Sequence, residues 1–176
     1  MSTNLQFIKS ATISSGSSTL NITNVFSADY DVYKIVSYGI STVGTLQTDP
    51  DLRFINSSDS VVGDTDYDYA HLIMRTDSSF TEQKETGQDE FYRFFGESVD
   101  QGVETNAQVS YIYNPFSSSK YTFAIYQSMV ASAGLKIGMK GIGVLKQTTS
   151  MTGFQVKDNT GSRPFAGGEF AVYGVK

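Results

Sequence analysis

Short segments in which apolar and polar residues alternate run along nearly the whole chain, from Leu5 to Val175. Alternation with a period of two places one set of side chains on each face of a β-strand, whereas an amphipathic helix has a longer repeat. Clusters of Ser, Thr, Asn, Asp and Gly separate the segments and favour turns. This pattern predicts an all-β protein and is poorly suited to long helices.

There are roughly ten or eleven alternating segments, a number typical of an antiparallel β-sandwich or barrel. They are residues 5–13, 20–22, 32–38, 52–55, 69–74, 91–95, 108–113, 121–126, 137–145, 154–156 and 170–175. The segments at 108–113 and 121–126 are joined by a short loop around Asn114-Pro115 and predict a hairpin.

Residues 78–88 break the pattern because they are almost entirely polar. They fit one short helical turn, capped by Ser78 or Ser79 and ended by Gly87. The hypothesis we favour is a long excursion between strands that lies over one edge of the sandwich, where such loops commonly contact partners.

The length of 176 residues is sufficient for one domain with a full core, so we predict a single domain over residues 1–176. The chain has 0 Cys and 0 Trp, which excludes disulfides, thiolate nucleophiles and Cys-based metal sites. Packing must therefore stabilise the fold, and the 12 Phe and 11 Tyr residues are suited to supply it.

Charges are unevenly distributed along the chain, although the net charge is only −5. Residues 1–104 carry 6 basic and 16 acidic side chains, whereas residues 105–176 carry 7 and 2. In a sandwich with Greek-key connections, strands from both ends of the chain lie side by side and the two signs mix. If the signs stay apart instead, a basic and an acidic face could meet across a subunit contact.

His71 is the one histidine of the chain, and it lies in a predicted strand in phase with Tyr69 and Ile73. A general base requires a group that orients it, and a lone histidine on a strand is usually a surface or rim residue. We therefore expect His71 to be a surface or rim residue rather than a catalytic one.

Three carboxylates at alternate positions, Asp64, Asp66 and Asp68, superficially suggest a calcium loop. An EF-hand loop that begins at Asp64 would require Gly and Glu at the positions that Tyr69 and Arg75 occupy. The segment is better explained as a turn that enters the strand at Tyr69, with a surface cation as the second hypothesis.

Four further carboxylates, Asp89, Glu90, Glu97 and Glu104, could in principle supply the pair that a glycosidase requires, ~5–9 Å apart across a groove. The sequence does not bring any two of them to one groove, and we expect most of them to be solvated strand ends. The sequence therefore nominates no catalytic, cofactor-binding or metal-ligating residue and predicts a protein that is not an enzyme.

Gly138, Gly141 and Gly143 lie inside a predicted strand rather than at the start of a helix, so they do not form a phosphate loop. They predict bulges or a close approach of another group to the backbone. The dilute basic residues and a pI of about 4.7 argue against nucleic-acid binding. The N-terminus lacks the pattern of a signal peptide, and no apolar run approaches the ~18 residues of a membrane span.

Six fragments of the sequence are distinctive as a set. They are residues 26–36 (FSADYDVYKIV), 67–72 (YDYAHL), 80–83 (FTEQ), Tyr113-Asn114-Pro115 with its serine run, 140–147 (KGIGVLKQ) and 172–176 (VYGVK). Together they resemble a group of small virion structural proteins from tailed bacteriophages, chiefly those that infect marine bacteria. The fragments occur in one order over nearly the whole chain, and none is a catalytic signature.

The resemblance implies a jelly-roll-like antiparallel β-sandwich on the outside of a virion, assembled in the host cytoplasm. It implies a capsid decoration, cement or knob protein, or a tail-fibre-type protein, that forms a homo-oligomer, commonly a trimer. The major capsid protein or other virion proteins would be its partners, and it brings no cofactor. A compact chain without a helical stalk or collagen-like repeat fits a decoration or knob better than a complete fibre.

Two other hypotheses come from different classes of protein. Exposed Tyr and Phe side chains could stack on sugars, so the chain could be a receptor-binding head or a carbohydrate-binding module that contacts host glycans. An enzyme that acts on glycans is the third hypothesis, and it depends on the carboxylate pair that the sequence does not bring together.

Overall fold

The computed structural model describes residues 4–45, 47–77, 80–97, 99–100, 106–132 and 135–176. These ranges contain eleven strands and no helix, and hence no helix that could span a membrane. In chain order the strands are β1 (Leu5–Thr12), β2 (Thr19–Ile22), β3 (Val32–Thr42), β4 (Pro50–Asn56), β5 (Tyr67–Arg75), β6 (Thr81–Gln88), β7 (Asn106–Tyr113), β8 (Thr122–Ser132), β9 (Leu135–Leu145), β10 (Met151–Asp158) and β11 (Phe165–Val175).

The strands form two sheets that stack on each other. The larger sheet has eight strands in the order β1-β11-β3-β7-β8-β9-β5-β6, and the smaller has three in the order β2-β10-β4. Every neighbouring pair is antiparallel. The predicted all-β, jelly-roll-like antiparallel sandwich is confirmed, with eleven strands in place of about ten.

Aromatic rings fill the space between the two sheets. Phe54 of β4 lies parallel to Tyr67 of β5 with ring centroids 6.4 Å apart, which joins the small sheet to the large one. Burying a Tyr hydroxyl is unfavourable unless it is hydrogen-bonded. The Tyr67 hydroxyl satisfies this need by donating to the carbonyl of Val62 (3.0 Å) and accepting from the N–H of Phe54 (2.8 Å).

The prediction for residues 78–88 was wrong, because β6 is a strand rather than a helical turn or a loop. Ser78 and Ser79 lie outside the described residues. The strand β6 pairs with β5 alone and is an edge of the large sheet. Most of its side chains are in contact with solvent, so no alternation of apolar and polar residues marks it in the sequence.

The predicted strand at residues 91–95 was also wrong. Phe91, Phe94 and Phe95 are all fully buried, a spacing that a strand with its period of two does not produce. Between them, Arg93 has a φ of 56°, a left-handed conformation that ends any strand. The segment is a turn that inserts three rings into the core, against Tyr67, Tyr126 and Phe170.

The predicted hairpin is confirmed as the antiparallel pair β7 and β8. Of the two hypotheses for the glycines of β9, close approach is confirmed at Gly141 and Gly143. The register of β9 against β8 and β5 is unbroken, so β9 contains no bulge. A Cβ on Gly141 would lie 2.2 Å from the Tyr126 ring, and one on Gly143 would lie 2.6 Å from the Phe91 ring.

Candidate interaction face

One face of the eight-stranded sheet points away from the three-stranded sheet, and we call it the outer face. Antiparallel register aligns its side chains in rows that cross the strands. The first row, from β1 to β9, contains Leu5, Val175, Val32, Tyr113, Phe123 and Val144. The second row, from β1 to β5, contains Phe7, Tyr173, Lys34, Tyr111, Ile125, Ile142 and Ala70.

Two further rows continue the apolar surface with smaller and more polar side chains. The third contains Ser10, Ala171, Val36, Val109, Gln127, Lys140 and Leu72. The fourth contains Thr12, Glu169, Tyr38, Ala107, Met129, Gly138 and Met74. In a sheet with one solvated face these positions would be mainly polar.

The large apolar side chains at the centre of the outer face are about half exposed. The exposed fractions are 47% for Phe123, 44% for Ile125, 59% for Ile142 and 66% for Met129. Strand and residue spacings give the four rows a projected extent of about 30 Å by 20 Å, on the order of 600 Å². This area also includes the polar residues Ser10, Thr12, Lys34, Gln127, Lys140 and Glu169, so its apolar part is smaller. Contiguous exposed apolar patches commonly mark interaction sites.

The outer face is not flat, because a groove runs along it beside the edge strand β6. The groove has a volume of about 740 Å³, and its floor includes Ala70, Ile125 and Ile142. The small side chain of Ala70 leaves space between Ile142 on one side and Lys84 on the other, since these three positions are neighbours in the register. An apolar side chain from a partner could fill this space.

Polar and charged groups border the outer face. At the end of the first row, the Asp68 carboxylate lies 2.9 Å from Lys146 Nζ and accepts a hydrogen bond from the N–H of Gly87 (2.8 Å). The hydrogen bond from Lys146 lowers the pKa of Asp68. In the fourth row, the Thr12 hydroxyl donates to Glu169 (2.9 Å). An apolar centre with a polar rim is the usual composition of a protein interface.

His71 lies on the inner side of the sheet and is 4% exposed, so the expectation of a surface or rim position was wrong. Its Nδ1 lies 3.1 Å from the Tyr126 hydroxyl and its Nε2 lies 3.2 Å from Gln83 Oε1. One neutral tautomer satisfies both bonds, with the hydroxyl donating to Nδ1 and Nε2 donating to the amide oxygen. Burial lowers the pKa of His71, which favours this neutral form.

The three alternating aspartates are occupied by hydrogen bonds within the chain. Gln147 Nε2 donates to both Asp64 (3.1 Å) and Asp66 (2.9 Å). The interpretation as a turn that enters a strand is confirmed, because residues 64–66 turn and β5 begins at Tyr67. Among the described residues, no group of three or more His, Asp or Glu side chains is placed to hold a metal ion.

The described candidates for a glycosidase pair all form ion pairs. Asp89 follows the end of β6 and is 49% exposed, as expected of a solvated strand end, whereas the expectation was wrong for Glu90 and Glu97. Asp89 pairs with Arg53. Glu90 pairs with Arg53 (3.1 Å) and with Lys157. Glu97 is 2% exposed and pairs with Arg75 and with Arg93 (2.9 Å). Glu104 lies outside the described residues. Each of the three described candidates thus has at least one cationic partner.

The sequence of β8 contains a signal for the outer face that simple alternation does not reveal. In β8, Phe123 and Ile125 point outward while Ala124 and Tyr126 point inward, so the strand is apolar in both phases. A run that is apolar in both phases indicates a strand covered on both faces. The sequence could have identified such strands but not the partner that covers them.

The sequence matches no protein-family model and no curated protein. Among solved structures, the alginate lyase Aly36B is similar with a TM-score of 0.33 and 10% identity, over 95% of this chain and 80% of that one. A xylan β-1,4-xylosidase from Bacillus halodurans C-125 is similar with a TM-score of 0.28 and 8% identity, over 90% of this chain and 32% of that one. A GH131 β-glucanase catalytic domain from Podospora anserina is similar with a TM-score of 0.27 and 9% identity, over 89% of this chain and 70% of that one. Likenesses this weak carry no argument about function.

Proposed function

We propose that this protein is a non-enzymatic structural component of a tailed-phage virion, a capsid decoration, cement or knob protein that self-associates on the particle surface. The observation that carries the self-association is the apolar outer face with Phe123, Ile125 and Ile142 at its centre. The fragments that resemble phage virion proteins support the location. The ion pairs that occupy Asp89, Glu90 and Glu97 support a role without catalysis.

The partner on the outer face is a second copy of the same chain. A standard interface buries ~800 Å² on each partner, and the four rows together with their polar rim approach that size. Burial of apolar area at ~25 cal/mol per Å² supplies the driving force, from which the entropy of association must be subtracted. In the expected trimer, the outer faces of three copies turn towards a common axis.

The test of self-association is the mass of the purified protein by size-exclusion chromatography with light scattering. We expect a trimer for the natural sequence. Ile142→Lys and Met129→Lys each place a charge at the centre of the outer face and should shift the protein to monomer. Ser58→Lys is the matched control, because it adds the same charge in the exposed turn after β4 and should leave the trimer intact.

A natural protein that is monomeric at every concentration would overturn self-association. The virion role requires a second experiment, in which the purified protein is sedimented with phage particles or with assembled major capsid protein. We expect co-sedimentation of the natural protein and of Ser58→Lys. A trimer that binds no virion component would retain the self-association and remove the virion role.

A further inference from the structure

A small cleft lies at the free edge of the large sheet, on the inner side of β6 and thus on the opposite side of the sheet from the outer face. We call it the edge cleft. It has a volume of about 250 Å³ and is lined by Tyr69, Gln83, Glu85, Gln88, Glu90 and Tyr92. One wall belongs to β5 and β6, and the other belongs to the segment that follows β6.

Tyr69 provides an unused hydroxyl in the edge cleft. The side chain is 6% exposed, and its ring stacks on His71 with centroids 5.5 Å apart. Glu85 is the neighbour of Tyr69 in the register, and Tyr92 lines the other wall of the cleft. The hydroxyl forms no hydrogen bond with the described residues, and it keeps some contact with solvent because it is not among the fully buried polar atoms that lack a partner.

Gln83 provides a second unused group, and its orientation is fixed. Its Oε1 lies 3.2 Å from His71 Nε2 and accepts from Arg93 Nη1 (3.4 Å). The amide oxygen is therefore occupied, while the amide NH₂ has no partner among the described residues. An amide whose oxygen is held in this way presents its NH₂ as a donor.

The charge of the edge cleft is negative. Glu85 is exposed and forms no ion pair in the part of the chain that is described. Glu90 is compensated by Arg53 and Lys157. Burial raises the pKa of Tyr69, and the charge of Glu85 raises it further, so the hydroxyl keeps its proton and can donate. The cleft thus offers a carboxylate acceptor beside hydroxyl and amide donors.

We propose that the edge cleft binds one hexose unit of a glycan, either neutral or amino-substituted. Each sugar hydroxyl both donates and accepts, so two vicinal hydroxyls can donate to Glu85 and accept from Gln83 and Tyr69. An amino group would gain further from Glu85, whereas the carboxylate of a uronic acid would be repelled by it. This site is separate from the outer face and does not depend on the proposed virion role.

The test is a titration of the full-length protein, labelled with ¹⁵N, with methyl glucopyranoside, methyl galactopyranoside, glucosamine and galacturonate at millimolar concentrations. We expect shifts centred on Tyr69, Gln83 and Glu85 for at least one of the first three probes and none for galacturonate. Tyr69→Phe keeps the stack on His71 and removes only the hydroxyl, and it should weaken binding at least tenfold. Tyr173→Phe, on the outer face, is the matched control and should bind normally.

Glu85→Gln tests the contribution of the carboxylate separately from the binding of a neutral hexose. It should weaken glucosamine binding and relieve the repulsion of galacturonate. Absence of shifts with all four probes would overturn the proposal, as would binding that Tyr69→Phe leaves unchanged. Tyr69 and Glu85 also border the groove of the outer face, but neither substitution changes the apolar rows. Loss of sugar binding with an intact trimer therefore identifies the edge cleft and leaves self-association unaffected.

Discussion

Two fully buried aspartates carry pKa values shifted in opposite directions. Burial raises the pKa of Asp51 well above its usual 3.8, and nearby Glu90 raises it further, against Lys157 and the N–H of Arg93. Burial alone would also raise the pKa of Asp158. Hydrogen bonds from the hydroxyls of Thr160 and Thr48 and from the N–H groups of Ser162 and Arg163 outweigh it and lower the value.

These shifts predict opposite effects of pH on stability. Asp158 contributes stability above pH 3.8 that is lost as pH falls through its lowered pKa, whereas the contribution of Asp51 is lost as pH rises through its raised pKa. Asp158→Asn should therefore cost about 2 kcal/mol at neutral pH and progressively less in acid. Asp51→Asn should gain stability relative to the natural protein as pH rises. Urea unfolding across the pH range measures both, and parallel pH profiles for the two variants would contradict the assignment.

The glycines of β9 give a second prediction for single residues. Gly141→Ala should destabilise the protein by about 1–3 kcal/mol, because its Cβ would overlap the buried Tyr126 ring. Gly138→Ala, in the same strand, is the control. Its Cβ would lie 3.2 Å from the flexible end of Met74, so its effect should be small. Equal urea midpoints for the two variants would refute close packing at Gly141.

At the level of strands, the alternation of apolar and polar residues correctly predicted the strands that pack over the core. It did not predict segments that lie beside the core or that are turns. In β3, buried residues alternate with more exposed ones from Val32 to Tyr38, and the strand predicted there was confirmed. The edge strand β6 overhangs the core, so neither of its faces requires apolar residues. The apolar residues at 91–95 belong to a buried turn. In a segment this short, hydrophobic periodicity does not distinguish a buried turn from a strand.

The candidate sites divide in the same way. The sequence correctly assigned Asp64 to a turn, because that argument needed only local positions. It wrongly placed His71 at the surface or rim, because the burial of His71 depends on distant segments. The ring of Tyr126 packs against His71, and Phe94 packs in turn against Tyr126. The edge cleft joins Tyr69 to Tyr92 across two elements, a proximity that linear spacing does not contain.

The charges of β6 predict its role at the edge of the sheet. An unpaired edge invites pairing with another chain, and charged side chains oppose this. Replacing Glu82 and Lys84 together with Val should therefore cause aggregation that grows with protein concentration, which static light scattering would detect. Replacing the same two residues with Gln removes the charges without adding apolar area, and it should aggregate less. Equal scattering from both double variants would show that apolar area at this edge does not promote aggregation.

Across the whole molecule, the acidic and basic parts of the chain are brought together. Lys146 pairs with Asp68 (2.9 Å), and Lys157 pairs with Glu90. The first of the two charge hypotheses therefore holds at these contacts, and segregated charge is not what would drive association. In the proposed assembly, the apolar outer face would then be the main source of attraction between copies.

An assembly held by apolar contacts responds to salt differently from one held by ion pairs. Added NaCl screens ion pairs over ~8 Å at physiological strength, while excluded salts such as sulfate strengthen apolar burial. The association constant, measured by sedimentation velocity, should stay level or rise with NaCl and rise clearly with sulfate. Lys140→Glu, which reverses a charge in the third row, should change it far less than Ile142→Lys does. Dissociation on adding salt would show that charge, rather than the apolar rows of Phe123 and Ile125, holds the copies together.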